Sequence, residues 1–154
     1  MKKLLCFDMD GTIADLYAVD GWLEKLRNED ATPYRNARPM WDTEQLKEIL
    51  KKLQQNGYEI AIITWLSKNS SEDFKKATRN EKLAWLEAIE MPFDYFHGIQ
   101  YGTTKADAVR NYLPNYESAT LFNDNAKVRK GWHYGETVNP EEIDIVNYLA
   151  RLLD

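Results

Sequence analysis

The 154-residue sequence has one cysteine and two histidines, which excludes an internal disulfide and a zinc site built from clustered cysteine and histidine. The lone Cys6 falls inside the first apolar run and reads as a small core residue. No Gly-, Pro- or Ser-rich linker, internal repeat or low-complexity stretch divides the chain, so one domain over 1–154 is expected. Positive charge is not in excess either. A net charge of −5 argues against a broad nucleic-acid-binding surface. The apolar run near the N-terminus ends at Asp8, too soon for a signal-peptide core or a membrane span. The expectation is therefore a cytoplasmic protein with no membrane partner.

What is present is an ordinary globular composition, 44% hydrophobic and 29% charged, organised around Phe7-Asp8-Met9-Asp10-Gly11-Thr12. A short apolar run, Leu4 to Phe7, that ends in acids, a glycine and a hydroxyl reads as a buried parallel strand delivering its C-terminal end to a site. Ligands collect at such strand ends in open α/β sheets. Two carboxylates two residues apart would point the same way in a regular strand, and they repel unless a cation or a proton intervenes. Such a pair suits a nucleophile beside a general acid/base.

Three more strand ends follow. Asp42-Thr43 opens a helix with Leu46, Ile49, Leu50 and Leu53 at helical spacing and Gly57 past its end. Tyr58 to Ile63 is then a buried strand running into Thr64-Trp65, parallel to the first. The segment from Ser71 to Ile89 is predicted helical, with Phe74, Ala77, Leu83, Leu86 and Ile89 imperfectly periodic and Glu81, Lys82 and Glu87 on its wet face. Tyr95 to Tyr101 is a weaker strand leading to Thr103-Thr104-Lys105, where a threonine caps a helix whose first turn presents Lys105. A lysine there opposes the helix dipole, which is easier to understand beside an anion. Ala119 to Phe122 is a fourth strand, ending in Asn123-Asp124-Asn125. A last edge strand is expected within 133–138, and Asn139-Pro140-Glu141-Glu142 reads as the start of a helix packed down by Ile143, Val146, Leu149 and Leu153.

These features resemble the four motifs of the haloacid dehalogenase (HAD) superfamily, in order and over about residues 7–132. Asp8-x-Asp10-Gly11-Thr12 is similar to the first motif, Thr64 to the second, Lys105 to the third and Asp124 to the fourth. The resemblance implies a Rossmann-like α/β three-layer sandwich around a central parallel sheet, with a minimal cap inserted at about 15–41, at most one helix (Asp20 to Asn28, capped by Asp20) and a loop. It implies an Mg²⁺-dependent phosphomonoesterase: Asp8 as nucleophile, Asp10 as acid/base, Thr64 and Lys105 on the phosphoryl group, and Asp8, Asp124 and the Asp10 carbonyl on the metal. Thr12 is expected in support of the Asp10 loop and beside substrate. An acid at position 10 favours a phosphatase or phosphomutase over a phosphate-storing pump domain or a dehalogenase. Asn123 departs from the adjacent acids of many members, and one charge fewer loosens Mg²⁺.

Substrate is the open part. Tyr17, Trp22, Tyr34, Trp41 and Trp65 are candidates for stacking a base, with Trp65 the best placed, against core and cap packing as the alternative. Arg35 and Arg38 are candidates for a second anionic group. A small nucleotide, as in 5'(3')-deoxyribonucleotidase-like members, is weighed against a polynucleotide end and against a non-catalytic binding protein.

Overall fold

A computed structural model describes residues 1–111 and 113–154. Five parallel strands form the central sheet in the order β5-β4-β1-β6-β7: β1 (Lys2–Phe7), β4 (Tyr58–Leu66), β5 (Tyr95–Gln100), β6 (Tyr116–Phe122) and β7 (Thr137–Val138). β1 sits at the centre, with Phe7 in register with Ile62 on one side and Phe122 on the other. Strands at the middle of a sheet covered on both faces are apolar where they are buried, and β1 is so from Leu4 onward: Leu5 and Phe7 enter one core, Leu4 and Cys6 the other.

Helices close both faces. On the Phe7 side lie α3 (Thr43–Gln55), α4 (Glu72–Ala88) and α7 (Ile145–Arg151), contributing Leu46, Leu50, Leu53, Trp85, Leu86, Ile145 and Leu149. On the Cys6 side, α5 (Lys105–Val109) and α6 (Ala126–Lys130) are joined by Leu113 and Trp132. Phe7 stacks on Phe122 across the central pair with ring centroids 4.4 Å apart. Asp42 caps α3 by accepting from the Gln45 amide at 3.0 Å, and Ser71 caps α4 by accepting from Phe74 at 3.1 Å. The layers agree with the expectation, and so do the starts of α3 and α4.

Three elements differ. The insert carries two helices, α1 (Trp22–Arg27) and α2 (Thr32–Asn36), and a two-stranded ribbon of β2 (Ala14–Asp15) with β3 (Arg38–Pro39). Gly21, in the left-handed region, precedes α1 in place of an Asp20 cap, and Pro33 enters the first turn of α2 where a loop was expected. The last helix begins at Ile145, capped by Asp144, because Asn139 instead ties up a turn by accepting from Glu141 and Ile143. Its buried face is accordingly Ile145 and Leu149, not Val146. The edge strand is only the two residues Thr137 and Val138.

The insert is fastened to α4. Trp85 donates its indole N–H to the Ala37 carbonyl at 2.8 Å, Arg35 donates to Glu81 at 3.0 Å, and the Ser71 amide donates to Glu29 at 3.2 Å.

Candidate active site at the carboxyl edge of the sheet

β1 stops at Phe7, and the Asp8 amide still donates to the Phe122 carbonyl at 3.0 Å, so Asp8 leaves the sheet between β1 and β6 with its backbone held. Its carboxylate is buried and accepts from the Lys105 ammonium at 2.7 Å on Oδ1 and from the Thr12 hydroxyl at 3.1 Å on Oδ2. Lys105 is 3% exposed at the first position of a helix too short for a strong dipole, so Asp8 is what compensates its charge. A buried ammonium persists only when paired in this way.

Thr12 is the hinge pin of the arrangement. Its hydroxyl lies 3.1 Å from Asp8 Oδ2 and 3.5 Å from Asp124 Oδ1, and it accepts from the Asp124 amide at 3.2 Å. The first and fourth strand ends are thereby joined through one atom. Thr12 has no exposed surface and stands as an internal tie between two carboxylates. Asp124 is free to face Asp8 because Asn125 takes the cap of α6, accepting from Val128 at 3.2 Å. Burial first, and then the charge of Asp8, push the Asp124 carboxyl up to about 7.

Asp10 does not share the direction of Asp8. The chain turns at Gly11, whose φ of +80° lies in the left-handed region, and Asp10 instead meets Lys82 at 3.0 Å. The two acids are kept apart by giving each its own ammonium. Burial is the largest influence on Asp10 and raises its carboxyl above the ordinary range; Lys82 pulls it down and Asp8 adds to the rise.

Lys82 is the residue that the sequence pattern hides. Placed by spacing on the wet face of α4, it is in fact completely buried. The inward face of α4 runs Phe74, Thr78, Lys82, Trp85 and Leu86, a regular helical stripe in which two positions hold polar residues; Ala77 is exposed. Thr78 and Lys82 therefore made a good period look poor. The signal that could have found them is the 4-4-3 spacing itself, read without regard to polarity.

Thr64, at the second strand end, is buried with its hydroxyl 2.6 Å from the Lys82 ammonium. Trp65 beside it donates its indole N–H to the Thr103 carbonyl at 2.9 Å and presents its ring to Lys105, whose nitrogen stands 5.3 Å from the centroid.

A cavity of about 440 Å³ opens onto these groups. Asp8, Asp10, Lys105 and Asp124 line it together with the rings of Tyr17, Trp22, Tyr34, Trp65 and Tyr101. Tyr17 and Tyr101 are about half exposed and flank the opening. Trp41 stays outside, donating to the Thr12 carbonyl at 2.8 Å, and is a packing residue. Arg35 is spent on Glu81 and neither it nor Arg38 lines the cavity; Arg27 does. His97 and His133 are likewise outside it.

The donors suit a hard divalent cation. Asp8 lies close enough to raise the Asp124 carboxyl, and Gly11, lacking a side chain, lets the Asp124 carboxylate sit against the loop. No group of three or more acidic, histidine or cysteine side chains gathers to hold a metal among the described residues. The Asp10 side chain turns to Lys82, leaving its main-chain carbonyl as the donor assigned to it. Asn123 is buried, accepts from the Asn125 amide at 2.9 Å, and has an amide nitrogen without a partner among the described residues.

No family model and no curated protein matches the sequence. Solved structures do. A haloacid dehalogenase-like family hydrolase from Streptococcus pneumoniae superposes with a TM-score of 0.55 at 16% identity, over 96% of this chain and 98% of that one. The fold is HAD-like. A phosphoserine phosphatase in its apo form gives 0.53 at 14% identity, covering 94% of this chain and 92% of the other. A chain of the Pnkp1/Rnl/Hen1 RNA repair complex gives 0.59 at 15% identity over 90% of this chain, which spans only 42% of that longer one. The HAD-like sheet accounts for why four sequence-distant residues, Asp8, Thr64, Lys105 and Asp124, converge: each lies at the end of a neighbouring parallel strand or in the segment that follows it.

Proposed function

We propose that the protein hydrolyses phosphate monoesters with Mg²⁺, through an aspartyl-phosphate on Asp8. The observation that carries this reading is the pairing of Asp8 with Asp124 through Thr12, with the Lys105 ammonium at 2.7 Å, on the wall of a cavity of about 440 Å³. A carboxylate cannot approach a phosphate dianion without positive charge to screen the repulsion, and one lysine alone leaves the site negative. Asp8, Asp124 and the Asp10 carbonyl would hold a magnesium ion, which would supply the missing charge. An Asp8 carboxylate oxygen attacks phosphorus, the P–O bond to the alcohol breaks, and the departing oxygen takes the proton that Asp10 holds. Water then loses a proton to Asp10, attacks phosphorus and returns Asp8 as a free carboxylate. Lys105 and the Thr64 hydroxyl take the phosphoryl oxygens. Asn123, with a free amide donor and no charge, weakens the metal without removing the site.

Within that class a nucleotide is the favoured small substrate, because six aromatic rings, Phe74 among them, line the cavity beside the carboxylates. A polynucleotide end is the second reading, supported by the half-exposed Tyr17 and Tyr101 at the opening and by the likeness to a chain of an RNA repair complex. Among the described residues no helix is long and apolar enough to cross a membrane, and a single cytoplasmic domain is part of the same proposal. Hydrolysis of p-nitrophenyl phosphate with Mg²⁺, lost in Asp8→Asn, tests the reaction; an inactive wild type leaves a HAD-fold binding protein. A panel of nucleotides set against a 3'-phosphorylated oligonucleotide tests the substrate.

A further inference from the structure

The chemistry above uses one lysine, yet the site contains two, and the second is more deeply buried than the first. Lys82 has no exposed surface, and its nitrogen makes three hydrogen bonds: to Asp10 Oδ2 at 3.0 Å, to Thr64 Oγ1 at 2.6 Å and to the Trp65 carbonyl at 2.9 Å. An ammonium has three protons and no lone pair. All three are thus spent on the protein, so Lys82 has nothing left to offer a substrate. The ring of Tyr34 packs against it, the nitrogen lying 4.8 Å from the centroid.

The consequence falls on Thr64. A hydroxyl can donate one hydrogen bond, and an ammonium can only donate, so Thr64 must accept from Lys82. Its own proton is then left for another acceptor. A threonine that could have spent its proton within the protein is left with that proton uncommitted. On the other side, Asp10 has one carboxylate oxygen anchored, which fixes the direction of the second. We infer that Lys82 is a positioning residue: from a single buried ammonium it orients Thr64 toward a non-bridging phosphoryl oxygen and Asp10 toward the leaving-group oxygen. It touches neither substrate nor reacting atoms, and it rests on the phosphatase reading for what those two side chains do.

Loss of Lys82 should therefore hurt most where the leaving group needs its proton. Wild type, Lys82→Met and Lys82→Gln are compared on an alkyl phosphate and on p-nitrophenyl phosphate, whose leaving group departs without protonation. The expected result for Lys82→Met is a fall in kcat of roughly 100-fold on the alkyl ester, the scale of a lost acid/base contribution, and a fall at least tenfold smaller on the aryl ester. Lys82→Gln, which keeps a donor, is expected to lie between. Equal losses on both esters in a variant with the wild-type circular dichroism spectrum overturn the inference. A second readout does not require turnover: the concentration of inorganic phosphate, with Mg²⁺, that half-saturates the shift in unfolding temperature. It should rise about tenfold in Lys82→Met and in Thr64→Val, and no further in the double variant, since each change removes the same oriented donor. An unchanged midpoint in Lys82→Met, or additive losses, overturns the inference even if the wild type hydrolyses neither ester; that inactivity by itself counts against the phosphatase reading alone.

Discussion

Replacing Gly11 by alanine tests the geometry of the site with a single methyl group. A Cβ built on this residue would stand 2.8 Å from Asp124 Cγ and 2.9 Å from the Tyr17 ring. Carbon atoms in contact prefer roughly 3.5 Å or more, so the Asp124 carboxylate must retreat by at least about 0.7 Å. It cannot do so alone, because its amide and a carboxylate oxygen share the Thr12 hydroxyl with Asp8. The backbone adds a second cost: φ is +80° at Gly11, and a side chain in the left-handed region costs about 1–2 kcal/mol. The expected stability loss is about 2 kcal/mol, which for a chain of this size lowers the unfolding temperature by roughly 4–8 °C. The larger effect falls on function. Displacement of a group by about 1 Å is enough to cost about 100-fold in rate. Gly11→Ala should therefore need far more Mg²⁺ for half-maximal p-nitrophenyl phosphate hydrolysis and should show kcat/KM about 100-fold lower at saturating metal. Calorimetry and a magnesium titration read the two effects separately. A variant with wild-type magnesium dependence, whatever its stability, would refute the placement of Asp124 as the metal's second carboxylate.

Lys105→Met removes the cation from a buried carboxylate and should cost about 3–5 kcal/mol in urea unfolding as well as activity, since Asp8 is left uncompensated. Without divalent ions, the raised carboxyl of Asp124 means that the folded state holds a proton the unfolded chain releases, so stability present near pH 4 is lost as the pH rises through about 7. The unfolding temperature in a chelator should fall between pH 5 and pH 8, Mg²⁺ should restore it at pH 8, and Asp124→Asn should flatten both responses. The fall is modest because this carboxyl is partly solvated. Thr12→Val cuts the tie between the two carboxylates and should raise the magnesium requirement while leaving the circular dichroism spectrum unchanged. Trp85→Phe strands the buried Ala37 carbonyl, costing about 1–3 kcal/mol, and should expose residues 16–41 to protease before the rest of the chain.

The order of strands and the four residue types at their ends were legible because they obey simple rules: continuous apolar runs, a period of about 3.6, and acids or hydroxyls where a run stops. Asp8, Thr64, Lys105 and Asp124 are found where those rules put them. What sequence could not carry was anything set by partners distant along the chain. Lys82 looked solvated because a lysine usually is, and only Asp10 and Thr64 folding onto it make burial tolerable. The tie from the Thr12 hydroxyl to Asp124, 112 residues away, has no trace in local sequence. The second half of the insert looked like a loop because α2 is short and draws its stability from packing on α4, not from propensity. The Asn139-Pro140 start was locally sound, but Asp144 offered a cap that also let Ile145 reach the core.

The fastening of residues 16–41 to α4 bears on how molecules are admitted. Glu29, Arg35 and Ala37 are moored to the same helix that carries Lys82. A roof bolted to a load-bearing wall does not swing. On the proposed reading, selection then falls on the fixed rings of Tyr17, Trp22 and Tyr34 that this segment turns to the cavity, and any change that shifts the roof will be felt at Asp10 as well.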